Sequence, residues 1–383
     1  MKQSRARLAL VMLAVATGLS NTSSAAATQS SEATTEFVYV GTQEGSIQCL
    51  RLDIPTGKLT MIGRSPLALR PTWVTAHPKL PVLYAVDDDN AKEGSVTAFN
   101  VNRETGALTE MSRVATKGSG TTNLYFDVLS DTLLAANYGS GSVSSIAVNR
   151  DGSVDSVVST IKETGSGPNP RQASAHAHNA IVDPSGKYVL VADLGADRVF
   201  VYGLDRSTHE ISTIDEAQSR AFASSPGSGP RHLAFGPDGR FVYLITELAA
   251  NVMVFRWDAS HGSLTLVQTL LLNGAAFQGV GSGAEIAVSH NGRFVYAENR
   301  GENELVVYRV DPESGELSEI QRSLAGGDKP WAFAIDASGK WMVVANQRSG
   351  SVNVFGIDSE SGMIVSTGQS VDIHTPVSIA FVR

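Results

Sequence analysis

The chain has 383 residues, one cysteine and a formal charge of −8. A lone cysteine rules out an internal disulfide, and the acidic balance argues against nucleic acid or an anionic membrane as partner. No segment is long and apolar enough to cross a bilayer.

Residues 1–27 read as a secretory signal: Lys2, Arg5 and Arg7 give a basic start, Leu8 to Leu19 a short apolar stretch, and Ala25-Ala26-Ala27 small residues for cleavage. The two arginines are not adjacent, against a twin-arginine signal, and no cysteine follows the apolar stretch, against a lipoprotein. Cleavage would remove three positive charges and take −8 to −11. The expected location is periplasmic or secreted. Residues 28–35 read as a polar lead-in without fixed structure, and 36–383 as one domain.

An eight-residue phrase then recurs seven times: Ser46–Asp53, Ser95–Asn102, Ser142–Asn149, Arg198–Asp205, Asn251–Asp258, Glu304–Asp311 and Ser351–Asp358. Each copy is apolar at its second, fifth and seventh places and ends in Asp or Asn. Five are followed by a turn holding Thr-Gly, Ser-Gly or His-Gly; Asp151-Gly152 and Thr208-His209 depart. Their last residues are 49, 47, 56, 53, 53 and 47 positions apart, the period of a β-propeller.

Upstream of each phrase lies a second run, such as Phe241–Thr246 or Phe294–Asn299. Before it come a tight turn, such as Pro237-Asp238-Gly239-Arg240, and a short apolar strand, such as Leu233–Phe235. Each repeat is therefore a blade of four antiparallel strands, A to D. The first strand, Phe37–Thr42, is a B strand lacking an A strand, and the last, Val377–Val382, is an A strand with nothing after it. Pairing them completes a seventh blade and hides two open edges. The expected fold is all-β, a seven-bladed β-propeller closed by its N- and C-terminal strands. Cys49, in a C strand, reads as a small core residue.

In such a ring the loops entering A and leaving B open on one face. The A entries include Gly165 to His178, Gly227 to His232, and Gly283-Ala284-Glu285. The residues just past B are Gln43, Asp88, Tyr138, Leu194, Glu247, Arg300 and Gln347. Glu247 and Arg300 are thus equivalent places in neighbouring blades, beside Arg231 and the His176/His178 pair. That constellation suits an anionic substrate. The plainer readings are an interblade ion pair for Glu247 and Arg300, and local backbone bonding for Asp193, Asn299 and Asn346. His176 and His178 fall on one face of an extended strand. Zinc would need a third ligand and none has a recognisable spacing, so the residues themselves speak against a metal site. The two Gly-Ser-Gly stretches lack the lysine and helix of a phosphate loop. His77, His209, His261 and His290 lie in turns and read as solvated.

On these residues the sequence resembles the seven-bladed lactonase family, which includes propeller-type 6-phosphogluconolactonases and carboxy-cis,cis-muconate cyclases. The resemblance runs through Arg171-Gln172, His176-Ala177-His178, Ala192 to Arg198, Gly229-Pro230-Arg231-His232, Glu247-Leu248, Ala284-Glu285-Ile286, Asn299-Arg300-Gly301 and Ala345-Asn346-Gln347. It implies catalytic roles for His176 or His178, Arg231, Glu247 and Arg300. It implies substrate contacts for Arg171, Gln172, His232, Glu285, Asn299 and Gln347, with no metal or organic cofactor. Two departures stand out: Pro330-Trp331 where the family has Pro-Arg, and Glu302-Asn303-Glu304 where His-Asp-Ser follows Asn-Arg-Gly.

The expected activity is hydrolysis of a sugar-derived lactone, with Arg231 and Arg300 on the substrate's anionic group and on the developing oxyanion. Glu247 is expected to act as base for water or acid for the leaving hydroxyl, with His176 or His178 in the complementary role. The expected partner is a small-molecule lactone alone, and the expected state a monomer. The alternatives are a non-enzymatic periplasmic binding or scaffold propeller, and a cycloisomerase using the same arginines on an unsaturated diacid.

Overall fold

The computed structural model describes residues 34–66, 69–213 and 221–382; the signal segment and most of the lead-in lie outside them. Seven sheets form the ring. Blades 1 to 6 begin their A strands at Val74, Thr121, Ala177, Pro230, Gly283 and Pro330. Blade 7 joins Pro376–Val382 to Thr35–Thr42, Ser46–Asp53 and Lys58–Pro66, in that order across the sheet. Phe37 pairs with Val382 and Gly41 with Ser378, so the first and last strands close the ring as the sequence predicts. Blade 3 carries an extra short strand, Phe222–Ala223, against its C strand.

The core lies between blades. Seven buried apolar clusters fill the seven interblade interfaces. Alternate residues of a B strand serve opposite neighbours: Phe37 and Tyr39 pack towards blade 1, Val38 and Val40 towards blade 6. Both faces are buried, which explains B strands that read as continuous apolar runs. Cys49 is buried in the first of these interfaces.

The turn after each C strand staples neighbouring blades. Its Asp or Asn caps the turn, as when the Thr56 amide donates to Asp53 Oδ1 at 3.0 Å. The turn glycine then lies flat on the aromatic that opens the preceding blade's B strand. A Cβ on Gly106, Gly262, Gly315, Gly362 or Gly57 would strike Phe37, Tyr188, Phe241, Phe294 or Trp341. Tyr39 and Tyr84 add hydroxyl donations to the Gly106 and Gly152 carbonyls at 2.7 and 2.8 Å. Blade 2 opens its B strand with Thr132, and the facing turn holds His209 at φ 63, with its Nδ1 2.9 Å from Thr132 Oγ1. His77, expected in solvent, is buried against Phe126 and accepts the Lys79 and Leu80 amides at Nδ1.

Candidate active site

One backbone contact repeats in all seven blades. The residue just past strand B donates its amide to a carbonyl at the A entry: Gln43 to Thr375, Asp88 to Arg70, Tyr138 to Gly120, Leu194 to His176, Glu247 to Gly229, Arg300 to Ser282 and Gln347 to Lys329. The A and B loop sets therefore share one mouth. Immediately past this contact the A strand is bulged in blades 2 to 7, at Thr122, His178, Arg231, Ala284-Glu285, Trp331 and Val377. A bulge leaves a residue outside the ladder and re-aims its side chain. His178 and Arg231 are both bulge residues; strand alternation alone does not place them.

Glu247 is the hub, contributed by blade 4. Its Oε2 receives Arg231 Nε at 3.0 Å and Arg300 Nη2 at 2.8 Å, and its Oε1 receives Arg171 Nη1 at 2.5 Å. His178 Nε2 stands 3.8 Å from Oε2. Arg231 is 1% exposed, and its Nη1 also donates to the Ala284 carbonyl. Arg300 donates from Nη2 to Ser282 Oγ at 3.0 Å and lies 4.6 Å over the Trp331 ring. Lys329, held at φ 56, places its ammonium 5.1 Å from the same ring. Left-handed backbone at a lysine is a strained choice; Gly229 (φ 63) occupies the matching place in blade 4.

Electrostatics follow from this crowding. Burial alone would raise the Glu247 carboxyl, but the charges of Arg300 and Arg231, with Arg171, outweigh it and hold it well below the usual carboxylate range. Burial and the charge of Arg231 keep His178 and His232 neutral. Burial and Arg300 lower Arg231 to about 10. Lys329 is lowered by burial, Arg300 and Arg348. The mouth is a cationic patch on an acidic chain.

His176 is placed differently. Its Nδ1 lies 2.8 Å from the Tyr138 carbonyl, its ring stacks on Tyr138 at 4.5 Å, and the Tyr138 hydroxyl meets Arg171 Nη2 at 3.4 Å. A carbonyl only accepts, so the neutral ring carries its proton on Nδ1, and Nε2 is the basic nitrogen. Gly195 lies against the ring edge, where a Cβ would stand 2.8 Å from His176 Cδ2.

The other expected contacts divide. Gln172 is buried within its loop, donating to the Leu194 carbonyl and Asp197 Oδ1 at 2.8 and 2.6 Å. Asp197 also accepts the Gly227 and Gly229 amides. This carboxylate ties the loop of Arg171 to the loop of Arg231. Asn299 is buried and bonds Asn273, Glu302 and the Gly301 amide. Gln347 bonds Gln43 across blades 6 and 7. His232 and Glu285 pair at 2.8 Å, His232 lying edge-on to His178 at 5.1 Å and to Trp73 at 5.3 Å. Sequence reasoning missed Lys329, Trp73 and the buried acid Glu298; the bulges that aim the mouth leave no periodic signal. Among the described residues no group of three His, Cys, Asp or Glu side chains is placed to hold a metal ion.

The model of the seven-bladed β-propeller lactonase family matches residues 37–381. A 6-phosphogluconolactonase of Bacillus subtilis is 31% identical over 90% of this chain and 98% of its own length, and one of Cronobacter sakazakii is 29% identical over 87% and 94%. The solved structure of a periplasmic gluconolactonase of Pseudomonas aeruginosa superposes with a TM-score of 0.84 at 34% identity, covering 91% of this chain and 99% of that one. With its ring, its blade count and its family match in agreement, the chain belongs to the lactonase family of seven-bladed β-propellers.

Proposed function

We propose that the protein hydrolyses a sugar-derived lactone at this mouth, without a metal, and that it works in the periplasm or outside the cell. The observation that carries this reading is the convergence of three arginines on one buried carboxylate, with the His176 imidazole stacked on the Tyr138 whose hydroxyl meets Arg171. The lactone carbonyl oxygen faces Arg231 and Arg300, whose positive charge stabilises the tetrahedral oxyanion. His176 Nε2 takes a proton from the attacking water, whose oxygen bonds to the carbonyl carbon. Collapse breaks the ring C–O bond, and the imidazolium returns the proton to the departing ring oxygen. The product is an open-chain hydroxy acid.

Glu247 takes a different part from the base expected of it. A carboxylate gripped by three guanidinium groups has too little proton affinity to abstract a proton from water. It holds the arginines in register instead. The resemblance to a periplasmic gluconolactonase and the signal-like N-terminus favour an unphosphorylated aldonolactone. The test is a pH-stat assay of purified protein on glucono-δ-lactone and on its 6-phosphate, with spontaneous hydrolysis subtracted. Ring opening no faster than the blank on either lactone would sink the proposal.

A further inference from the structure

At the fifth place of the B strand, six blades carry Gly41, Val86, Ala136, Ala192, Ile245 and Ala345; blade 5 carries Glu298. Six blades fold with a small or apolar residue there, so the architecture makes no demand for an acid. Glu298 is 0% exposed, its carboxyl oxygens meet no side-chain hydrogen-bond donor, and the backbone amide of Glu285 is the one donor acting on them. A buried carboxyl so sparsely bonded costs stability relative to alanine. A costly residue that the repeat does not require points to function.

Its surroundings say which. Gly283 pairs with Asn299 and Ile286 with Ala297, so Glu298 stands opposite the wide bulge of Ala284 and Glu285. That bulge supplies the carbonyl that receives Arg231 Nη1 and the carboxyl that meets His232 Nδ1. The groups acting electrostatically on Glu298 are Glu285, Arg231 and Arg300; His232 is bonded to Glu285, and Glu247 to both Arg231 and Arg300.

We propose that Glu298 is a positioning residue of the mouth, held as a neutral carboxylic acid across the bulge whose Ala284 carbonyl receives Arg231, which leaves the arginine's charge to the substrate and withdraws it when Glu298 ionises. Resting on the reading of the mouth given above, this makes anion affinity a function of the Glu298 proton. Arg231, Arg300 and Arg171 share a single counter-charge, Glu247. An ionised Glu298, joined by Glu285, would add negative charge next to the arginines and compete with any anion at the entrance. Burial, reinforced by Glu285, pushes Glu298 up to about 8, and burial pushes Glu285 up to about 7. Both are therefore neutral in mild acid and ionise as pH rises through this range.

The test combines infrared spectroscopy with calorimetry of D-gluconate binding between about pH 6 and about pH 9.5, a span bracketing both groups. Gluconate stays a monoanion throughout, so the ligand's own ionisation contributes nothing. Wild-type protein should show the carbonyl stretch of a buried carboxylic acid near neutral pH, fading as pH rises, while the gluconate Kd weakens about tenfold. Glu298→Gln, which mimics the protonated acid in shape and charge, should lose the share of that band that fades at the highest pH, with Glu285 and the buried Glu163 supplying the rest, and bind gluconate with much less pH dependence. A Glu298→Gln protein whose band and binding profile match wild type overturns the proposal. Should that variant not fold, Glu285→Gln removes the neighbouring acid and should move the fading of the band to lower pH; an unmoved band overturns it equally. Absence of gluconate binding to wild type at every pH would count against the lactonase reading, and the infrared band would still decide the state of Glu298.

Discussion

At the residue scale, the division of labour between Glu247 and His176 is open to measurement. His176→Asn removes the base and should lower kcat by about 10²-fold or more with little change in KM. Glu247→Gln leaves three guanidinium groups without their shared counter-charge, so steady-state kinetics should show kcat falling and KM rising together. If Glu247 were the base, its substitution would act on kcat alone. Gly195→Ala should displace the backbone before His176 and lower kcat, because the new methyl would strike the Ser174 carbonyl oxygen and stand 2.8 Å from His176 Cδ2. Glu247, Arg300 and Arg231 were legible in the sequence because repeat alignment puts them on one face. Glu298 was missed, although it is the single acid in a column of small and apolar residues, because its meaning needs the bulge opposite it. Nothing in the sequence says that Gln172 turns inward to Asp197 while its neighbour Arg171 turns out.

At the scale of the element, the strand pattern and the turns were readable because their chemistry is local: Asp or Asn caps the turn, and glycine follows where φ is positive. The reason for the glycine is tertiary and was not readable. Gly106 sits at φ 73 with Phe37 of the preceding blade where a Cβ would go. Gly106→Ala should therefore destabilise the protein by about 1–3 kcal/mol, seen as a lowered urea midpoint, with kinetics on the lactone unchanged. The bulges show the opposite limit. A one-residue slip in pairing leaves no mark on hydrophobic periodicity, yet it aims His178 and Arg231 into the mouth.

At the scale of the whole molecule, an acidic ring with a cationic mouth should draw anions to one place. Raising salt from low to about physiological ionic strength should weaken gluconate binding several-fold, as calorimetry would show; an unchanged Kd would mean the mouth carries no net field. The composition gave the sign of the whole chain's charge, but only folding reveals that its cations gather where the substrate is proposed to enter. The closing blade has a further consequence. Phe37 and its partner Val382 are 345 positions apart, so the strand synthesised earliest waits for the one synthesised last. Six blades can stack before that, but the ring stays unlatched, with bare backbone at both ends, until Pro376–Val382 has paired with Thr35–Thr42. The interval before latching is when a chaperone has the most to protect.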